Sequence, residues 1–431
     1  MKMSKFEKYK NDFEDYKIPE TMKATVLSGL GFENIAIKEI LVPEPGPKQL
    51  LARVDAAGVC TSILKILQQG SNHQLFNGWD LVKWPVILGD EGSLTIVKAG
   101  SELKDKYIAG KRYGIQPAVN HRPINHLERY NNSGKGMEKT AVGYTLSGLL
   151  AEFILIKEEV LAGNCLVPLP DDDMPYFAVS MAEPISCVIS SQTRNFHIYK
   201  DSPMSQRYAK LGIKENGICI IVGAGAMGLI HIELAMRYKP RVLIVNDVLE
   251  ERLELVNRVL KPKAEKKGVK LITVTPDKIY DLLTEVSDGK MADDIILAVG
   301  VKQVQQEAFR WLGFGGVVNL FGGLPRRDSL LNIDNIRVHY EEIKVTGSSG
   351  GDVGDYIATL DAIKNNDIDA GNYVAAVGSI DNTIKVLQMI DNKQIQGKAI
   401  LYPHIRQTDL KFVDYWDSEK EREFLEENLK Y

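Results

Sequence analysis

Two sets of residues in this sequence could do chemistry. The first is the run Gly223-Ala224-Gly225-Ala226-Met227-Gly228, followed about 20 residues later by Asp247. Gly223 permits a tight turn, Gly225 lets the backbone come close to a pyrophosphate, and Gly228 lets a following helix pack against the preceding strand. A helix opening at Ala226 and Met227 offers free N–H groups and a partial positive charge to phosphates. Asp247 can accept hydrogen bonds from both ribose hydroxyls. Its charge would repel a 2′-phosphate, which favours NAD over NADP, although Arg252 could pair with Asp247 or reach a phosphate instead. The second set is Cys60, the pair Asp90-Glu91, and Glu183. A thiolate with carboxylates could bind zinc, which accepts sulfur and oxygen ligands. Each member also has a plainer reading: a lone Cys in a core, a Gly-Asp-Glu-Gly turn, and a Glu that begins a helix ahead of Pro184.

The first set needs a strand before it, a helix after it and a second strand to carry the acid. Ile218 to Val222 is an apolar run short enough for a buried parallel strand. Met227, Ile230, Leu234 and Ala235 fall on one face of a helix. Val242 to Val245 then leads to Asn246-Asp247. Further on, 271–275, 294–300 and 316–322 continue an alternation of strand and helix signals that predicts a parallel sheet. The run 294–300 ends in Val299-Gly300, which places these two among the candidate cofactor contacts, because ligands of open α/β sheets sit at the carboxyl ends of strands.

The second set lies in a stretch of short strands and glycine turns, which predicts a β-rich, barrel-like domain. Strands are expected at 24–27, 35–40, 50–57 and 93–98, a helix from Leu64, a polar loop over 121–143, a helix over 176–196 and a loop over 199–216. Phe6, Tyr9, Phe13 and Tyr16 recur at spacings of three and four, as in an amphipathic helix or an arm lying on another surface. The expected organisation is an extension at 1–21, a first part of the β-rich domain at 22–190, a nucleotide-binding domain at 191–345, and a return to the first domain with a charged, surface-wrapping tail at 346–431.

Composition limits the alternatives. The chain has 431 residues, 44% hydrophobic and 26% charged, with a net charge of −4, which gives no general attraction to nucleic acid or to an anionic membrane. No stretch is long and apolar enough to span a bilayer, and the N-terminus lacks the apolar core of a signal peptide, so a cytoplasmic protein is expected. The four cysteines, Cys60, Cys165, Cys187 and Cys219, have no disulfide-like spacing. Cys187 and Cys219 read as small core residues.

The order Gly-Val-Cys-Thr-Ser at 58–62, Gly-Asp-Glu-Gly at 89–92, Glu-Pro-Ile-Ser at 183–186, the glycine turn and Val-Asn-Asp at 245–247 resembles the medium-chain zinc-dependent alcohol and polyol dehydrogenases. The likeness runs from about Met22 to Pro403. Within that superfamily, 115–118, 183–189, 246–248, 260–276 and 346–351 are similar to L-sorbose-1-phosphate reductase-like proteins. The resemblance implies a GroES-like β-barrel catalytic domain joined to a Rossmann domain. It also implies NAD(P)-dependent hydride transfer between a polyol and a ketose, free or phosphorylated, with a small-molecule substrate and a homo-oligomer, dimer or tetramer. Cys60, Asp90 and Glu183 would be ligands of one catalytic zinc, with Glu91 as an exchanging ligand. Relatives usually have His where this chain has Asp90, and often Asp where it has Ile63, so a partner behind the metal ligands is expected to be lost. No structural zinc is implied, because 100–160 holds no Cys. Ser62 matches the hydroxyl that relays the alcohol's proton. Lys65 stands where relatives often have a relay His, and Lys65, His73 or Arg112 could instead meet a substrate phosphate.

Overall fold

A computed structural model of the protein describes residues 3–13, 16–122, 124–131, 139–325 and 328–430. Parts of the polar loop at 121–143 and of the N-terminal extension therefore lie outside the described residues. The chain divides into two compact units, one formed by Met1–Pro184 with Asp352–Tyr431 and one by Ile185–Gly351.

The second unit is built on six parallel strands. In chain order they are Ile218–Val222, Val242–Asn246, Lys270–Val274, Ala292–Leu297, Leu312–Asn319 and Lys344–Thr346. Their spatial order is third, second, first, fourth, fifth, sixth, that of a doubly wound Rossmann sheet, with its switch point between the first and fourth strands. The first two strands are buried along their whole length, which is why they read as unbroken apolar runs. The helix Ala226–Ala235 is buried from Gly228 to Ala235. The single apolar face expected of it is therefore wrong: a helix enclosed on all sides is apolar all round. The segment expected as a loop over 199–216 holds part of an antiparallel hairpin, Phe196–Tyr199 with Tyr208–Leu211. It buries His197 and exposes Ile198 and Leu211, which hides the strand signal, while Tyr199 stacks on Tyr208 across it, ring centroids 6.0 Å apart.

The first unit carries an eight-stranded, mostly antiparallel sheet and a three-stranded one. At its centre Leu50–Gly58, buried throughout, pairs antiparallel with Glu91–Ala99, with Phe153–Ile156 and with Lys398–Tyr402. Tyr113, Leu94, Ile154 and Leu401 join it in one apolar core. The expected single helix at 176–196 is two helices, Tyr176–Ser180 and Ala182–Thr193, and Phe196 already belongs to the hairpin.

Both flanking segments are part of this unit rather than appendages. The helix Lys5–Asn11 buries Tyr9, whose hydroxyl donates to Asp55 at 2.9 Å. The Arg53 guanidinium lies 3.5 Å from the Tyr9 ring centroid and donates to Asp55 at 2.8 Å. The tail expected to wrap the surface forms the helix Ser418–Asn428 and buries Trp416, Phe424 and Leu425. Glu426 on that helix accepts from the N–H groups of Lys5 and Phe6, at 3.0 and 2.8 Å. Glu421 accepts from those of Tyr176 and Phe177, at 2.8 and 2.7 Å.

Candidate active site

The glycine turn follows the first strand of the parallel sheet, and Val299-Gly300 follows the fourth, so both stand at the switch point. Gly223 has φ +98°, open to a residue without Cβ, and a Cβ there would lie 2.6 Å from Val299 Cγ1. A side chain at Gly228 would run into the Gly223 carbonyl, so the helix rests directly on the turn. At Gly225 a Cβ would meet only Arg252 Nη1, at 3.9 Å, which leaves room for a ligand over the helix start.

Asp247 is buried. Its Oδ2 accepts from Ala224 N–H at 2.7 Å and its Oδ1 from Leu249 N–H at 2.9 Å. Arg252 Nη1 lies 3.4 Å from Oδ2. Asp247 thus ties the glycine turn to the end of the second strand, and Arg252 takes the pairing foreseen for it.

In the other unit, register brings separate stretches together. Gly58 pairs with Glu91 on one neighbour and with Ile400 on the other. Continuing the second ladder by two residues sets Cys60 beside Lys398, and Asp90 precedes Glu91. The donor atoms of Cys60, Asp90 and Glu91 lie within 4.8 Å of one another, the one such group among the described residues. Glu183, also buried, stands outside that radius but close enough for its charge to act on Cys60 and Lys398. Gly58 leaves room for Glu91, since a Cβ there would overlap the Glu91 carboxylate.

Charge in this pocket is unbalanced. Burial first, and then the Glu91 charge, push Asp90 up to about 7, with Lys398 and Ser62 opposing. Burial and the Asp90 charge raise the Cys60 thiol. Burial would lower Lys398, but Glu91, Cys60 and Glu183 hold it above its ordinary value. Lys398 Nζ pairs with Glu91 Oε1, and both side chains are almost wholly buried. Asp90 Oδ1 and Glu91 Oε2 are buried with no hydrogen-bond partner. A soft thiolate, carboxylates with orphaned oxygens and surplus negative charge together fit a divalent cation such as zinc.

Ser62 opens the helix Ser62–Gln69 at the same place. Its N–H donates to Cys60 Sγ at 3.4 Å and its hydroxyl to Asp90 Oδ2 at 3.2 Å. Ile63 is buried, but the partner expected to be lost is supplied by Ser62. Lys65, foreseen in a relay, is on the exposed side of this helix. Arg112, considered for a phosphate, is buried. It donates to the carbonyls of Asp172 and Met174 at 2.7 and 2.6 Å and lies over the Tyr176 ring, so it is committed to the fold. His73 stacks near Tyr144, ring centroids 5.4 Å apart, and burial first, then the Asp90 and Cys60 charges, raise the Tyr144 phenol. The sequence reading missed Lys398 and Tyr144. A lysine opening the apolar strand Lys398–Tyr402 was the available signal for the first; an aromatic in a loop gave none for the second.

Residues 46–171 match the alcohol dehydrogenase GroES-like domain family. The chain is 29% identical over 383 residues to mannitol-1-phosphate 5-dehydrogenase of Aliivibrio fischeri, covering 87% of this chain and 85% of that protein. It is 27% identical to L-sorbose 1-phosphate reductase of Klebsiella pneumoniae, covering 78% of each. Among solved structures, 2R,3R-butanediol dehydrogenase of Bacillus subtilis superposes with a TM-score of 0.68 at 20% identity, covering 89% of this chain and 99% of that one.

Proposed function

We propose that this chain, a member of the medium-chain zinc-type alcohol and polyol dehydrogenase superfamily, interconverts a ketose phosphate and the corresponding polyol phosphate with a nicotinamide cofactor. An NAD(P)- and zinc-dependent alcohol or polyol dehydrogenase is supported by the relatives as a group. The phosphorylated substrate is the finer step. It is supported by two relatives whose names specify a hexitol phosphate and a ketose phosphate. The observation that carries the catalytic reading is the buried Cys60–Asp90–Glu91 group with its orphaned oxygens.

Cys60, Asp90 and Glu183 would hold the metal, and Glu91, shared with Lys398, would be a fourth ligand that can exchange. A zinc ion bound there polarises a carbonyl or alcohol oxygen. Lys398 pairs with Glu91 and limits the negative charge around the reacting carbon. The Ser62 hydroxyl, which donates to Asp90 Oδ2, would accept a hydrogen bond from the alcohol O–H. The first turn of Ala226–Ala235 takes the pyrophosphate, and Val299 and Gly300 border the nicotinamide half. Asp247, held by the N–H groups of Ala224 and Leu249, favours NAD over NADP. A homo-oligomer is supported by the edge strand Lys344–Thr346 of the parallel sheet and by the exposed Val345, Phe314 and Tyr340. Among the described residues, no helix is long and apolar enough to cross a membrane.

A free polyol is the second reading. It is favoured by the commitment of Arg112 to backbone carbonyls, which removes one cation from those available to a phosphate. Initial rates of NADH and NADPH oxidation with ketose 1-phosphates and with free ketoses, before and after chelation, separate the two. Chelator-sensitive turnover confined to the phosphates supports the first reading, turnover of free ketoses moves the assignment to the second, and metal-independent turnover overturns the role given to the cluster.

A further inference from the structure

Strand register brings Cys60, Asp90 and Glu91 together, whereas Glu183 stands outside their 4.8 Å group. Glu183 comes to the pocket from the helix Tyr176–Ser180, which runs on through Met181 into Ala182–Thr193. Tyr176–Ser180 packs on Leu50–Gly58 and on Glu91–Ala99, the strands that lead to Cys60 and begin at Glu91. This helix starts without a cap of its own. Pro175 stands at its N-cap and makes no side-chain hydrogen bond, so its first N–H groups need a remote acceptor. Glu421 is that acceptor. Its Oε2 accepts from Tyr176 N–H at 2.8 Å and its Oε1 from Phe177 N–H at 2.7 Å. Oε1 also accepts from the Tyr402 hydroxyl at 2.8 Å. That hydroxyl in turn accepts from Trp416 Nε1 at 2.9 Å. An indole only donates, so the one phenol proton points to Glu421.

Tyr402 closes the strand that Lys398 opens, and Lys398 is the partner of Glu91. One buried carboxylate therefore joins the helix that leads to Glu183 with the strand that carries Lys398. Three donors hold its two oxygens, which fixes the helix start against that strand. We propose that Glu421 is a positioning residue for the metal site, setting how far Glu183 stands from Cys60, Asp90 and Glu91. It acts through the helix start at Tyr176 and Phe177. The inference rests on the metal-dependent reading above and gives the C-terminal helix Ser418–Asn428 a part in completing the ligand set.

The test measures zinc affinity of the full-length chain by competition with chelators of graded strength, and the visible spectrum of the cobalt-substituted protein. The variants are E421Q, E183Q and the double variant E421Q/E183Q. E421Q keeps the shape of the side chain but sets an amide N–H₂ against one of the donors. Outer partners of metal ligands typically set affinity by about 10–100-fold, so E421Q should weaken zinc by about tenfold and shift the cobalt bands. In the E183Q background the same change should alter zinc affinity by less than about twofold, because the ligand it positions is gone. Unchanged zinc affinity and cobalt bands in E421Q overturn the inference. So does an equal fold-loss in the two backgrounds, which a general loosening of the barrel unit would give. Thermal melting of the metal-free proteins checks folding. If E421Q does not fold, the same comparison is made with Y402F, which frees the carboxylate from the strand and leaves the helix start capped. If neither folds, the network serves the fold alone and the inference falls. A wild-type chain that takes up neither zinc nor cobalt overturns the metal reading and this inference together. A wild-type chain that binds zinc but turns over no ketose overturns the proposed function alone.

Discussion

Asp247 and the Asp90–Glu91 pair are buried carboxylates beside strand ends, and the two units treat them in opposite ways. Both oxygens of Asp247 accept from main-chain N–H groups, with Arg252 alongside. Those donors are fixed by the turn, so the carboxylate is satisfied by the fold alone. Asp90 and Glu91 each keep one oxygen without a partner, and Lys398 is their one buried ion-pair partner. The nucleotide unit has thus finished its electrostatics before any ligand arrives, whereas the barrel unit has left its own open. The first arrangement suits a rigid cradle. The second stores a demand for positive charge where a cation and a polarised oxygen can meet it.

Removing the ammonium strains this contrast most. In K398A, Glu91 becomes a buried charge with no counterion, and metal-free protein should lose about 3–5 kcal/mol in urea unfolding followed through the barrel unit. A smaller loss than ~1 kcal/mol would mean that water takes the place of the ammonium. Supplying the cation acts in the other direction. At a thousandfold excess over its Kd, zinc should stabilise the barrel unit by about 4 kcal/mol. Hydrogen exchange resolved by peptide should show that protection in 22–184 and 352–430 and not in 185–351, while NADH should protect 185–351. Next comes D247N, which sets an amide N–H₂ against one of two N–H donors. It should weaken NADH binding, read by fluorescence titration, with a cost of about 2 kcal/mol, and narrow the preference over NADPH.

The smallest effect is one in which the two units should agree. Burial pushes both His404 in the barrel unit and His231 in the nucleotide unit down to about 3. Their ordinary value is 6.5, so between pH 6.5 and about 3 the unfolded chain binds the extra proton. Stability therefore falls as pH falls through that window, at most by about 1.4 kcal/mol per pH unit for each histidine, and by less than about 1 kcal/mol from pH 7 to 6. Unfolding of H231F against the parent at pH 7, 6 and 5 should show a flatter slope. An unchanged slope would mean that His231 is protonated in the fold.

The same contrast explains what could be read from the sequence. The nucleotide site is made by neighbours in the chain: strand, glycine turn, helix, strand and acid all fall within 218–247, so spacing encodes their geometry. The barrel site is assembled by antiparallel register from residues near 60, 90, 144, 183 and 398. Cys60, Asp90 and Glu183 suit zinc by residue type, but only the resemblance sets them in one site over their plainer readings. Lys398 resembles any strand-edge lysine until Ile400 is seen opposite Gly58. Tyr144 resembles a core aromatic until it is found buried near the charges of Asp90 and Cys60. Secondary structure failed in a related way. The hairpin at 196–211 exposes Ile198 and Leu211 and buries His197, so its pattern does not read as a strand, and burial of Trp416 and Phe424 shows only in three dimensions.

The docking of Lys5–Asn11 onto Glu426 also sets an order of events during synthesis. Ile185–Gly351 is one uninterrupted stretch and has every strand of its parallel sheet once residue 351 has left the ribosome. The unit around it waits longer. Its central strand Leu50–Gly58 acquires Lys398–Tyr402 only after the inserted unit has been made, and the Glu426 carboxylate that caps Lys5–Asn11 emerges later still. Until then the Arg53–Asp55 pair and the Glu91 carboxylate lack their final covers, and a chaperone that shields nascent chains would find its client in the unit whose two segments flank the inserted one.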